Sequence, residues 1–151
     1  MLGVETARPC LLLERRLGPL RRQAYFLAEA VAGEDALHVL QHEVITGESW
    51  QNALCHFRNL FQLMDKYQIV HGDMKATNFI LTPERLVVLD LDSMRREPDR
   101  ARFLRARERD LRRFEQNWKE PATLAAVRSL LDEIRGQASL DTAPPETAVQ
   151  E

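Results

Sequence analysis

The chain has 151 residues, of which 44% are hydrophobic and 29% charged, and its formal net charge is −2. This balance is that of one folded domain and excludes a disordered chain, a membrane bundle and a globally basic nucleic-acid binder. The two cysteines, Cys10 and Cys55, lie far apart without C-x-x-C spacing, which predicts small buried apolar residues in a reducing compartment rather than a disulfide or a zinc site. No apolar run is long enough to span a bilayer and no secretory leader is visible, so the expectation is a cytoplasmic protein.

Taken in order, Arg8 to Glu14 and Gln23 to Glu29 read as two strands around the turn Gly18-Pro19. Ala30 to Gly33 is small and ends the second strand. A short helix follows from Asp35 to His42, with Leu37 and Leu40 as its apolar side. The strongest periodicity runs from Ser49 to Tyr67. There Trp50, Ala53, Leu54, Phe57, Leu60, Phe61 and Met64 recur at three- and four-residue spacing and form one apolar stripe, and Ser49 suits the N-cap. Ile69-Val70 lead into a polar loop, His71 to Asn78. Phe79 to Leu81 and Leu86 to Leu91 then flank a turn at Thr82-Pro83-Glu84-Arg85, the pattern of a hairpin. A second amphipathic helix starts near Asp99 and carries Leu104, Leu111, Phe114 and Trp118. A third runs from Pro121 to Arg135, with Gly136 as its stop. Residues 137–151 are polar and aperiodic and read as a disordered tail.

The chemistry concentrates in His71-Gly72-Asp73-Met74-Lys75-Ala76-Thr77-Asn78, followed after the hairpin by Asp90-Leu91-Asp92. Phosphoryl transfer needs a carboxylate to orient the attacking hydroxyl, a cation to offset phosphoryl charge, and oxygen ligands for Mg²⁺. Asp73 and Lys75 answer the first two needs, and Asn78 with Asp90 across the hairpin answers the third. The run from Arg95 to Arg113 holds nine arginines against Glu97, Asp99, Glu108 and Asp110. It reads equally as a surface for an anionic substrate or the inner leaflet, or as a solvated helix face with i,i+4 ion pairs.

The H-x-D-x-K-x-x-N loop followed by an Asp triplet resembles the catalytic loop and metal-binding Asp of the protein-kinase-like superfamily. Among these the chain is similar to the lipopolysaccharide kinase family, which phosphorylates Kdo or heptose sugars. His71-Gly72-Asp73, Asp90-Leu91-Asp92 and the Arg-Asp-Leu-Arg-Arg-Phe run at 109–114 carry the likeness. The resemblance implies an α+β, protein-kinase-like fold, mainly the helical C-terminal lobe with hinge and catalytic hairpin. The division would be 1–33 for the last N-lobe strands and hinge, 34–136 for the C-lobe, and 137–151 for the tail. It implies ATP and Mg²⁺ as cofactors. Asp73 would be the base and Lys75 the charge stabiliser, while Asn78 and Asp90 would be the metal ligands. The Glu29 carbonyl and Val31 N–H would meet adenine, with Ile80 beneath its ring. His71 would brace the loop and Asp110 hold its backbone from below, and Asp92 is either a second ligand or a turn residue. The acceptor would be a sugar hydroxyl of the lipopolysaccharide core or a similar small molecule. Gly72 and the short span from Asp92 to Asp99 disfavour a protein substrate.

The sequence shows no G-x-G-x-x-G, and its lysines are Lys66, Lys75 and Lys119, so the glycine-rich loop and strand lysine of a complete kinase are missing. Two accounts follow: a truncated or late-started reading frame of an active kinase, or a catalytically silent lobe kept for binding. A serine/threonine kinase-like or aminoglycoside-phosphotransferase-like activity is a further alternative. Either account of the missing lobe predicts an exposed apolar patch where that lobe would sit.

Overall fold

The computed structural model describes residues 4–42, 47–82 and 84–140. Pro83 of the expected turn and residues 141–151 of the expected tail lie outside the described residues. The described chain is mixed α+β, in agreement with the expected class. It begins with β1 (Glu5–Thr6), then a long hairpin of β2 (Pro9–Leu17) and β3 (Leu20–Ala28), and then β4 (Glu34–Asp35), α1 (Ala36–His42) and α2 (Glu48–Tyr67). After β5 (Ile69–Val70), a 3₁₀ turn at Ala76–Asn78 leads into β6 (Phe79–Leu81) and β7 (Leu86–Val88). A second 3₁₀ turn, Leu91–Ser93, precedes β8 (Arg95–Arg96), α3 (Arg100–Glu115) and α4 (Pro121–Leu140).

The strands form three small sheets. One has the order β1-β7-β6-β4, with β1 parallel to β7 and the other pairs antiparallel. The second is the β2-β3 hairpin, and the third pairs β5 with β8. The predicted stripe of α2 is the centre of the core: Trp50, Ala53, Phe57, Leu60, Phe61 and Met64 are all buried. Phe57 lies 4.7 Å from the Phe114 ring centroid and 5.2 Å from that of Phe79, so α2, α3 and the β6-β7 hairpin share one aromatic cluster.

Several local expectations give way to packing. The α2 N-cap is Gly47 rather than Ser49; the helix starts at Glu48 and draws Ser49 into its first turn without a side-chain cap bond. Gly136 does not stop α4, which continues to Leu140. Its flank is open space, and Gln137 bonds to Gln62 on α2 at 3.2 Å, so the neighbouring helix holds the last turn in place. The second hairpin strand ends at Val88 rather than Leu91, because Asp90 turns the chain into the 3₁₀ segment. Both cysteines are exposed, not buried: Cys10 stands on the open hairpin and Cys55 on the solvent side of α2. Asp99 does cap α3, accepting the Arg102 N–H at 2.7 Å.

The β2-β3 hairpin packs chiefly on itself, strand against strand. Leu12, Leu20 and Phe26 keep 60%, 67% and 64% of their surface exposed, which leaves apolar side chains of the hairpin open to solvent.

Candidate active site

The polar loop from His71 to Asn78 leaves β5 and reaches β6 along the top of the core. Its first residue is fully buried and bridges two segments. The His71 Nε2 lies 3.2 Å from the Leu89 carbonyl, which can only accept, so Nε2 donates. The other ring nitrogen, Nδ1, then accepts the Asp73 N–H at 3.4 Å. His71 thereby links the backbone of Asp73 to the residue before Asp90, the bracing role expected of it.

Asp110, on α3, holds the same loop from below. Its carboxylate accepts the His71 N–H at 2.7 Å and the Gly72 N–H at 3.1 Å. Burial pushes the Asp110 carboxyl above its ordinary range, and the two backbone donors partly offset that rise. Gly72 adopts φ +88°, and a Cβ there would sit 2.8 Å from the Ser93 Cβ, so glycine lets the segment after Asp90 press against the loop.

Asp73 is half-buried between two cations. Lys75 Nζ stands 2.5 Å from Oδ2 and Arg113 Nε 3.6 Å from Oδ1. The Lys75 hydrogen bond, with Arg113 adding to it, holds the Asp73 carboxyl below the usual carboxylate range. Asn78 donates from Nδ2 to the Asp73 carbonyl at 3.0 Å, and its own carbonyl accepts the Leu89 N–H at 2.8 Å. That last bond sets Asp90 one residue beyond Leu89 and two beyond the end of the β6-β7 ladder, on the Asn78 side. Asp90 is exposed with φ +53° and ψ +64°, a conformation that a non-glycine residue keeps only where its surroundings impose it. Asp92 lies exposed within the 3₁₀ turn. No group of three or more His, Cys, Asp or Glu side chains able to hold a metal is found among the described residues. Asn78 and Asp90 supply two oxygen donors, a set that suits Mg²⁺, which keeps most of its ligands as water and phosphate.

The structure thus brings Asp73, Lys75, Asn78 and Asp90 into one stretch of loop and hairpin. Ile80 stands on β6 of the same hairpin, two residues after Asn78, while Glu29 and Val31 lie on the linker. Glu29 donates its N–H to the Arg8 carbonyl at 2.9 Å, which closes the open end of the β2-β3 hairpin. Gly33, with φ +149°, lets the linker cross directly over β6, since a Cβ there would lie 2.7 Å from Ile80 Cγ2. Ile80 is half-buried and pairs with Asp35 on one side and Val87 on the other.

Two residues of the site were not predicted from the sequence. Asn117 accepts the Ala76 N–H at 3.2 Å and donates to the Met74 carbonyl at 2.9 Å, clamping the loop to the end of α3. Arg113 enters the sequence reading as a member of the basic run and of the 109–114 run, with no site role assigned to it. That run does not present a single face: Arg107 turns into the core onto Asp65, and Arg112 pairs with Glu108 one turn earlier. Among the described residues no helix is long and apolar enough to cross a membrane.

No curated relative matches the chain. The family model described as lipopolysaccharide kinase (Kdo/WaaP) matches residues 1–133, which takes in the hairpin, the loop, the Asp90 segment and α3. With most of its length matched, the chain belongs to the lipopolysaccharide kinase (Kdo/WaaP) family.

Proposed function

We propose that the chain carries the phosphotransferase site of an ATP-dependent kinase acting on a hydroxyl of a lipopolysaccharide-core sugar or a similar small molecule. One observation carries the reading. A single loop holds Asp73 against Lys75, ties Asn78 to the Asp73 carbonyl, and pairs Asn78 with Leu89 next to Asp90. In this reading α1 to α4 with the catalytic hairpin are the C-terminal lobe, and β2, β3 and the linker to Gly33 are the last strands and hinge of the N-terminal lobe.

Asp73 orients the acceptor hydroxyl and takes its proton as the phosphoryl group is transferred. Lys75, already within hydrogen-bond distance of Asp73, offsets charge on the transferring group. Asn78 and Asp90 would hold Mg²⁺, which neutralises phosphate charge when bound. The Glu29 carbonyl and Val31 N–H are the adenine contacts, with Ile80 beneath the base. The short path from Asp92 to the Asp99 cap leaves little platform for a peptide, which favours a small acceptor. ATP use places the activity in the cytoplasm.

The test is a calorimetric titration of Mg-ATP into the purified chain, with Asp90→Ala as control. Magnesium-dependent binding that disappears in the variant supports the reading. A second reading, a catalytically silent binding lobe, predicts no nucleotide binding, or nucleotide binding that Asp90→Ala leaves unchanged.

A further inference from the structure

Where α3 turns into α4 a cleft of about 520 Å³ opens, lined by Arg112, Arg113, Lys119 and Arg128 together with Trp118 and Leu124. No residue of the His71–Asn78 loop lines it, so it is separate from the site described above. Its four cations come from three places. Arg112 and Arg113 stand near the end of α3, Lys119 lies in the connection, and Arg128 is carried by α4.

The one acid of the lining, Glu115, is taken by Arg128 at 2.6 Å. Arg112 pairs with Glu108 at 3.1 Å on an exposed helix face, where such a pair binds weakly. Arg113 reaches Asp73 only at 3.6 Å, and Lys119 has no acidic partner among the described residues. The cleft therefore carries a surplus of positive charge. Trp118 adds a polar donor to it. The residue is only 2% exposed and its ring meets that of Phe114 at 5.4 Å, yet its indole N–H has no acceptor among the described residues. An indole nitrogen can only donate, and a buried donor left without an acceptor is uncommon in a folded protein. The other tryptophan, Trp50, follows the usual rule and donates to the Leu40 carbonyl at 3.4 Å.

We infer that this cleft is an effector site for a phosphate monoester group, carried by a soluble molecule or by a lipid headgroup. Such a group bears about two negative charges and three strong acceptor oxygens at neutral pH. It can meet the guanidinium forks, the Lys119 ammonium and the Trp118 N–H together, whereas a carboxylate brings one charge and two oxygens. Arg113 gives the site its reach. It lines the cleft and faces Asp73, so a phosphate bound here competes with the Asp73 carboxylate for one guanidinium. The inference stands on the cleft itself and does not require Asp73 to be the base.

The experiment titrates the full chain with inorganic phosphate, and in parallel with acetate, in nucleotide-free buffer at low ionic strength. The two indole N–H resonances report directly. Phosphate should move that of Trp118 saturably and leave that of Trp50 in place. By calorimetry the affinity should fall fivefold or more in Lys119→Gln, an exposed position, and threefold or more in Trp118→Phe, which keeps a ring against Phe114. It should change less than twofold in Arg105→Gln, an exposed arginine of α3 outside the cleft. Sedimentation with phosphatidylcholine vesicles, with and without phosphatidic acid, separates the two sources. Saturation by inorganic phosphate without vesicle binding identifies a soluble ligand. Vesicle binding that needs phosphatidic acid and is lost in Lys119→Gln identifies a headgroup; both results support the site. The site is overturned if neither probe engages it, or if acetate binds as tightly as phosphate. It is equally overturned if Trp50 moves as far as Trp118, or if Arg105→Gln weakens binding as much as Lys119→Gln.

Discussion

The Asn117 side chain donates to the Met74 carbonyl at 2.9 Å, across 43 positions of sequence. The same carboxamide accepts the Ala76 N–H and also donates to the Phe114 carbonyl at 2.8 Å, so one side chain caps α3 and fixes the middle of the His71–Asn78 loop. Asn117→Ala leaves these partners without it, and a buried unpaired backbone group costs about 1–3 kcal/mol. The expected outcome is a urea midpoint lowered by that amount and faster exchange of the Ala76 amide. Asn117→Asp does not rescue, because it sets a carboxylate against carbonyl oxygens. Wild-type stability in the alanine variant would remove the clamp.

The Asp110 and Asp73 carboxyls are shifted in opposite directions from the ordinary aspartate value. Burial raises the Asp110 carboxyl, so between the ordinary aspartate value of about 3.9 and its folded value the native state binds the extra proton. Its contribution favours the fold at the acid end of that window and falls as pH rises through it. Asp110→Asn keeps one acceptor for the loop and abolishes that slope. Stability measured from pH 3 to 7 should show the difference between the two proteins changing across the window; a constant difference would contradict the raised carboxyl.

For Asp73 the sign reverses. Its carboxyl is held low first by the Lys75 hydrogen bond, then by the charges of Lys75 and Arg113. The stability from this carboxylate is present above the ordinary aspartate value and is lost as pH falls through the lowered one. Lys75→Met should shift the Asp73 resonance titration upward toward the ordinary value, and Arg113→Gln should do so by less. Equal shifts in both variants would show that Lys75 is not the principal partner.

Arg107 is the buried member of the basic run. It grips Asp65 through two nitrogens and also donates to the Ile134 carbonyl at 2.9 Å, joining α2, α3 and α4. Removing one side of such a pair costs about 3 kcal/mol, the lower end of the usual range, because the Asp65 side chain keeps 21% exposure. Thermal denaturation of Arg107→Ala should show that loss, and Arg107→Lys should recover little of it, since a point charge cannot reproduce the paired contact. Full recovery by lysine would mean that charge alone suffices.

What the sequence disclosed and what it hid follow from range. The stripe from Trp50 to Met64 is a local pattern and stands in the structure as read, and the spacing from His71 to Asn78 is equally local, its residues lying in one loop. Asp110 was legible through family likeness, which encodes a long-range contact that no local pattern shows. Asn117 carries no such mark: an asparagine after a helix is ordinary, and its partners lie four elements upstream. Gly136 and Ser49 mislead for the opposite reason. Their local preferences are real, but α4 is held by α2 past the glycine, and α2 begins a residue before the serine. Cys10 and Cys55 follow composition into the core on average, yet each sits on a face with nothing packed over it.

The sheet order β1-β7-β6-β4 has a consequence for the order of assembly. The β6-β7 hairpin and the α3-α4 pair are close in sequence and can form early, whereas Glu5 and Thr6 must find Val87 and Val88 across most of the chain. Closing so long a loop for two residues of ladder places β1 among the last elements to dock. Pulse-labelled exchange during refolding should protect the Thr6 amide after those of α3. During synthesis β1 leaves the ribosome well before its partner exists, and it waits as an unpaired edge until the β6-β7 hairpin emerges to receive it.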